Sequence, residues 1–161
     1  MTTSIKTSPK ERKLGFRVLF LAMFAIGTGQ TLFIAVLPPY ARGLGLSEVQ
    51  VGFIFSLSAL GWMMMSPFWG RKSDFIGRKS IIILGLLVYA FTTILMGLEF
   101  RLNELGYINL STLFGLLIFT RGCYGFLGSG AHSASMAYVA DRTTEKERSG
   151  IMAVMGSAFA I

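Results

Sequence analysis

The sequence predicts an all-α transmembrane protein, and two observations lead to that prediction. Only 14% of its 161 residues are charged and 53% are hydrophobic, whereas soluble domains have about 25% charged residues. Charged residues also delimit apolar runs long enough to cross a bilayer, for which a helix needs about 20 residues. We therefore predict four complete spans and the beginning of a fifth, at about residues 18–41, 49–70, 80–98, 111–138 and 150–161.

The basic residues identify one side of the membrane. Twelve of the fifteen lysines and arginines lie before span 1, between spans 2 and 3, or after span 4. By the positive-inside rule these segments face the cytoplasm, so residues 1–17 are predicted to be a cytoplasmic tail of a multi-pass cell-membrane protein. The net charge of +7 is explained by this topology and does not predict nucleic-acid binding.

Spans 1 and 2 contain few polar groups. Gln30, near the middle of span 1, either forms a hydrogen bond to another helix or lines a substrate path. Ser47 and Gln50 have the spacing of a capping box at the start of span 2. No metal site is predicted, because Cys123 is the only cysteine and the consecutive methionines at 63–65 point in different directions on a helix.

Span 4 contains an arginine at membrane depth, Arg121, which costs at least about 2.5 kcal/mol on insertion scales. On a regular helix Gly125, Gly128 and His132 share its face, and the glycines leave room for a partner helix or for water. Arg121 is either functional or part of a buried ion pair. His132 either binds a proton or substrate or packs between helices. We assign residues 99–109 to an outer loop, so that spans 1–4 contain no carboxylate.

A dense cluster of charge separates spans 2 and 3 at residues 70–79, where we predict a short turn bounded by glycines. The segment resembles the signature loop of the major facilitator superfamily, Gly-x-Leu-Ala/Ser-Asp-Arg/Lys-x-Gly-Arg-Arg/Lys. Lys72 and Phe75 depart from that pattern. The residues that match it are Gly70, Ser73, Asp74, Gly77, Arg78 and Lys79.

Two further segments carry the resemblance. Arg121-x-x-Tyr124-Gly125 is similar to the Arg-x-x-Gln-Gly pattern of proton-coupled exporters in this superfamily, with Tyr124 in place of glutamine. Residues 137–141 and 147–150 resemble the segment after span 4 in the twelve-span drug:proton antiporter branch. The resemblance implies a twelve-helix fold of two six-helix bundles with substrate bound between them. This chain would then be an N-terminal fragment that holds most of the first bundle.

The resemblance also implies residue roles. The Asp74 carboxylate would face the positive N-terminus of a helix in the second bundle and latch the bundles together on the cytoplasmic side. We assign to this conformational latch Gly70, Asp74, Gly77, Arg78, Lys79, Asp141 and Arg148. The residues assigned to proton coupling or the cavity are Arg121, Gly125, Gln30, Tyr124 and His132. The proton-carrying carboxylate would lie beyond Ile161, or His132 would replace it, or coupling would differ.

These features predict a secondary transporter that, when full-length, exports small amphipathic compounds and uses a proton gradient as its driving force. Two alternatives stay open: uptake or exchange of a metabolite such as a sugar or organic anion, and a membrane protein that binds a partner and transports nothing. The expected partners are the lipid bilayer, a small-molecule substrate and the remaining part of the transporter. No enzyme activity and no cofactor are predicted, because the sequence shows no nucleophile–base pair.

Overall fold

Residues 9–159 are described by a computed structural model, and they form helices joined by short turns. In chain order these are α1 (Pro9–Gly43), α2 (Glu48–Ile76), α3 (Arg78–Glu104), α4 (Leu110–Cys123), a π-helical segment (Tyr124–Gly128), α5 (Ser129–Asp141) and α6 (Glu145–Phe159). Four helices in this part of the chain are long and apolar enough to cross a membrane, the fourth being the continuous rod from Leu110 to Asp141. The predicted all-α membrane fold is confirmed.

Helix α1 begins earlier than the apolar pattern indicates. Pro9 occupies the first helical position, where its missing N–H and fixed φ are suited to a helix start. Glu11 lies in the first turn, where a negative charge interacts favourably with the helix dipole. The second half of the predicted tail, from Pro9 to Arg17, is therefore helical, while residues 1–8 lie outside the described range.

The junction between α2 and α3 corrects the predicted turn at residues 70–79. Helix α2 continues to Ile76 and α3 starts at Arg78, so that Gly77 alone is non-helical, with a φ of +101°. A residue with a Cβ rarely adopts this φ, and glycine adopts it without strain. Most of the predicted turn is helical because charged side chains at a membrane surface do not stop a helix.

The turn between α1 and α2 agrees with its sequence pattern. The Ser47 side chain accepts a hydrogen bond from the Gln50 backbone N–H at 3.3 Å, and the Ser47 backbone N–H donates to the Gln50 side chain at 2.8 Å. Together these bonds form a capping box, which satisfies N–H groups that a helix start leaves without partners. The predicted capping box is confirmed.

The rod made of α4, the π-helical segment and α5 organises the bundle, because all three of its parts pack against both α2 and α3. Helix α1 packs chiefly against α6. We call the end that contains Gly77 and the α5–α6 turn the basic end. Apolar clusters fill the interior near both ends: Leu37, Ile54, Met96 and Leu113 at the opposite end, and Leu19, Ile81, Val139 and Met155 at the basic end.

Candidate functional site

Arg121 lies buried where α1, α2 and α4 meet, with 7% of its surface exposed. Its guanidinium carbon lies 4.3 Å from the ring centroid of Phe33, 5.1 Å from that of Tyr124 and 5.9 Å from that of Phe55. Aromatic faces attract a cation, and such contacts are worth about 0.5–2 kcal/mol each. The sequence predicts Arg121 at membrane depth, but the aromatic residues around it come from three different elements.

The proposed alternative for Arg121, a buried ion pair, requires a carboxylate partner. Among residues 9–159 no carboxylate oxygen lies within 4.0 Å of an Arg121 nitrogen. Its polar contact is instead with Gln30, whose Oε1 accepts a hydrogen bond from Nη1 at 3.2 Å. The Arg121 Nε has no hydrogen-bond partner in the described chain. The guanidinium thus keeps a donor for a group outside these contacts.

A groove of about 640 Å³ opens beside this arginine, between α1, α2 and α4. Its size falls within the range of about 300–1,000 Å³ that is typical of small-molecule sites. Gln30 forms the predicted hydrogen bond to another helix, with Arg121, and it also lines the groove; its role in a substrate path stays a prediction. The lining combines polar groups with aromatic ones, and it includes Gln30, Thr31, Phe55, Ser58, Trp62 and Arg121.

The widened turn at Tyr124–Gly128 sets the position of Tyr124 and Gly125. Tyr124 is 1% exposed. A Cβ added at Gly125 would lie 2.5 Å from the Ser58 carbonyl oxygen, so α2 passes directly against this glycine. The space that the sequence predicts beside the glycine is therefore filled by a partner helix. The Phe126 carbonyl accepts a hydrogen bond from Trp69 Nε1 at 2.7 Å, which joins the π-helical segment to α2.

His132 is half-buried in α5, and its ring centroid lies 5.7 Å from that of Trp62. Trp62 in turn lies 6.2 Å from the Tyr124 ring, which contacts Arg121. The predicted alignment of Arg121 with His132 assumes a regular α-helix throughout. The π-helical turn between them changes the helical rotation, and the two residues are connected through the rings of Tyr124 and Trp62.

A second group of the candidate residues meets at the basic end. Arg78 forms an ion pair with Asp74, and its Nε lies 3.0 Å from Asp141 Oδ2. Its Nη1 also donates to the Gly70 carbonyl at 3.2 Å. The Arg78 side chain is 18% exposed, whereas those of Asp74 and Asp141 are 53% and 50% exposed. Arg78 therefore links α2, α3 and α5, and both carboxylates keep an exposed edge.

Two residues assigned to the latch lie outside this cluster. Lys79 is exposed and forms no ion pair with any residue between 9 and 159. Arg148 donates from Nη2 to the Ala140 carbonyl at 3.3 Å. Arg12, which the sequence did not single out, lies 3.4 Å from Glu147 and joins α1 to α6. A backbone hydrogen bond from Thr144 and the contact with Arg12 lower the pKa of Glu147.

Glu99 was not predicted from the sequence to be a site residue. Helix α3 continues to Glu104, so Glu99 is helical rather than part of a loop, and it is only 2% exposed. The expectation that the first four spans contain no carboxylate is therefore wrong. Thr92, Met96 and Glu99 are all buried at successive spacings of four and three residues, which is one face of a helix. That spacing continues past the predicted end of span 3 and would have indicated its burial.

The sequence is similar to known proteins over most of its length. The family model described as Major Facilitator Superfamily matches residues 19–161. The chain belongs to the Major Facilitator Superfamily. It is 33% identical over 155 residues to multidrug resistance protein 2 of Bacillus subtilis, covering 96% of this chain and 36% of that protein. It is 40% identical over 73 residues to the quinolone resistance protein NorA of Staphylococcus aureus, covering 45% of this chain and 19% of that protein.

These findings confirm the resemblance inferred from the motifs. The chain spans about a third of the length of one curated relative and about a fifth of the other. With its four membrane-crossing helices it is a multi-pass membrane protein. The cytoplasmic orientation of the basic end stays a prediction from charge.

Proposed function

We propose that the protein, at full length, is a secondary transporter that exports small amphipathic compounds in exchange for protons. The observation that carries this proposal is Arg121, a buried cation with no described carboxylate partner that lines a groove of about 640 Å³. Membrane proteins rarely keep an arginine at such depth without a functional reason, because the insertion cost is large. The names of the two relatives, which refer to resistance to drugs, support compounds of this class.

The groove lining suits a molecule with one apolar and one polar part. Phe55 and Trp62 present aromatic surface, while Gln30, Ser58 and Arg121 provide hydrogen-bonding groups. An apolar ring would be removed from water against the aromatic side chains, at about 25 cal/mol per Å² of buried apolar surface. A hydrogen-bond acceptor on the same molecule would receive a charged donor from Arg121, which makes a stronger bond than a neutral donor.

The Arg78 cluster, which consists of Arg78, Asp74 and Asp141, is proposed as a conformational latch on the cytoplasmic side. Arg78 holds the ends of α2, α3 and α5 together, and Asp74 remains 53% exposed. An exposed carboxylate can contact the positive end of a further helix, which is worth about 0.3–2 kcal/mol depending on burial. Release of that contact would allow the cytoplasmic side to open.

Transport in reconstituted liposomes tests this proposal. The full-length protein is placed in vesicles with an imposed pH gradient, and the movement of a fluorescent amphipathic dye is followed in both directions. Dye movement against the proton flow, abolished by a protonophore, is the expected result. Proton-driven movement of a sugar or organic anion in the opposite direction would favour the uptake alternative. A protein that inserts, moves no dye and co-purifies with a stoichiometric partner would favour the interaction alternative.

A further inference from the structure

Glu99 is a carboxyl group enclosed between two membrane-crossing helices. It lies on the buried face of α3 and is 2% exposed. Its Oε1 contacts the hydroxyl of Thr120 on α4, and its Oε2 has no hydrogen-bond partner within residues 9–159. Side chains on a helix lean toward its N-terminus, so Glu99 extends from the outer part of α3 toward the bundle centre. A buried polar atom without a partner in the protein requires an explanation, such as a bound water or ion or a functional role.

The charges around Glu99 do not neutralise it. Within the described chain no lysine or arginine nitrogen lies within 4.0 Å of its carboxylate. Other ionisable groups of the outer and central bundle have contacts of their own: Tyr40 with Glu104, Arg42 with Glu48, Arg101 with Glu104, Arg121 with Gln30, Tyr89 with Tyr124, and His132 with Trp62. Whether Glu99 is charged therefore depends on whether its carboxyl group holds a proton.

Two cavities are lined by residues that neighbour Glu99 in the fold, although Glu99 itself lines neither of them. The smaller one, of about 210 Å³, has a mainly apolar lining, but Gln30, Thr92 and Arg121 contribute polar groups that can bind water. The larger one, of about 390 Å³, is almost entirely apolar, and its lining includes Thr92 and Thr120. Thr120, which contacts Glu99, immediately precedes Arg121 in α4. Glu99 on α3 therefore contacts the residue of α4 that is adjacent in sequence to the groove arginine.

We propose that Glu99 is the site in this part of the protein that binds and releases the transported proton. The proposal rests on the proposed proton-coupled function and names the carboxylate that the sequence analysis did not find. Loss of the proton leaves a charge with one hydroxyl donor in an apolar enclosure, and such a charge requires water or a cation. Protonation and the packing of α3 against α4 are therefore coupled, and Thr120 transmits the change toward Arg121.

Carbodiimide labelling of the wild-type protein in membranes tests whether Glu99 binds a proton, and it does not depend on a transport assay. The carboxyl proton of Glu99 passes to a nitrogen of dicyclohexylcarbodiimide while its oxygen attacks the central carbon. The O-acylisourea formed then rearranges to a stable N-acylurea, and no group leaves. Peptide mass spectrometry should find Glu99 labelled at least about tenfold more at about pH 5 than at about pH 9, because only the protonated acid reacts. The exposed Glu104 serves as the internal control, because its labelling at each pH reports the reactivity of a carboxyl group in contact with water.

Labelling that is absent at Glu99, or unchanged across that pH range, would overturn the proposal. A second experiment compares Glu99→Gln with Glu104→Gln in liposomes. The glutamine at 99 keeps a hydrogen-bonding group but cannot exchange a proton, so proton-driven dye accumulation should fall at least about tenfold while dye exchange without a gradient persists. Retained proton-driven accumulation in Glu99→Gln would reject Glu99 as the site. A wild-type protein that labels with pH but transports nothing would reject the proposed function alone.

Discussion

Arg78 Nε lies 3.0 Å from Asp141 Oδ2, and this contact joins the α2–α3 junction to the end of α5. The same guanidinium forms an ion pair with Asp74. All three groups are at least partly exposed, so the cluster contributes little to stability, about 0–1 kcal/mol per pair. The cluster is therefore not needed to hold the fold together, and its role as a conformational latch stays a proposal.

The latch hypothesis predicts different results for its two carboxylates. Asp74→Asn should reduce transport at least about tenfold with normal insertion, because Asp74 would lose its contact with the second bundle. Asp141→Asn should have a smaller effect, since Arg78 keeps its bond to the Gly70 carbonyl. Glu48→Gln, in the exposed Arg42–Glu48 pair, is the control. Dye transport per inserted protein is measured, and wild-type rates in Asp74→Asn would remove Asp74 from the mechanism.

Substitutions of Arg121 separate the contribution of its positive charge from that of its planar guanidinium group. Arg121→Lys keeps a cation but loses the planar group that lies over Phe33, along with the hydrogen bond to Gln30. These contacts are together worth about 2–3 kcal/mol, so transport should fall by at least about tenfold. Transport by the Arg121→Ala variant should fall further. Arg101→Lys, with its exposed side chain, is the control. Loss of protein abundance with normal transport per molecule would instead indicate a structural role.

Gly125→Ala should destabilise the bundle. The added Cβ would lie 2.5 Å from the Ser58 carbonyl oxygen, and backbone cannot move aside as a flexible side chain can. Overpacking of this kind costs about 1–3 kcal/mol. Gly115→Ala in α4 is the matched control, because a Cβ there meets no atom within 4 Å and alanine favours a helix. Thermal unfolding in detergent measures both variants, and equal melting temperatures would contradict the close approach of α2.

Trp69→Phe tests the bond that joins α2 to the π-helical segment. Phenylalanine keeps an aromatic ring but cannot donate to the Phe126 carbonyl, which Trp69 Nε1 reaches at 2.7 Å. A lost hydrogen bond of this type costs about 0.5–1.5 kcal/mol. Phe53→Leu, at an exposed position of the same helix, is the control. Thermal unfolding should show a lower melting temperature for Trp69→Phe than for the control, and the reverse order would exclude a stabilising role for the bond.

The helices and Arg121 could be predicted because both depend on local composition. An apolar run of about 20 residues has few stable forms other than a membrane helix, since lipid offers the backbone no hydrogen bonds. The capping box at Ser47 and Gln50 is likewise a local feature, with both partners within one helical turn. Asp74 and Arg78 are four residues apart, so their ion pair also follows from helical spacing once α2 and α3 are recognised as nearly continuous.

Burial and long-range contacts were decided by tertiary structure. Charge at the end of an apolar run indicates the membrane surface, but Glu99 is buried because α4 covers that face of α3 with Thr120, 21 residues away. The aromatic rings around Arg121 come from α1, α2 and the π-helical segment, and no pattern within one helix predicts their convergence. By itself the sequence determined the four long membrane helices and the position of Arg121 within the fourth. Only the packing of neighbouring helices decided which charged side chains lie away from water, because burial depends on residues distant in the chain.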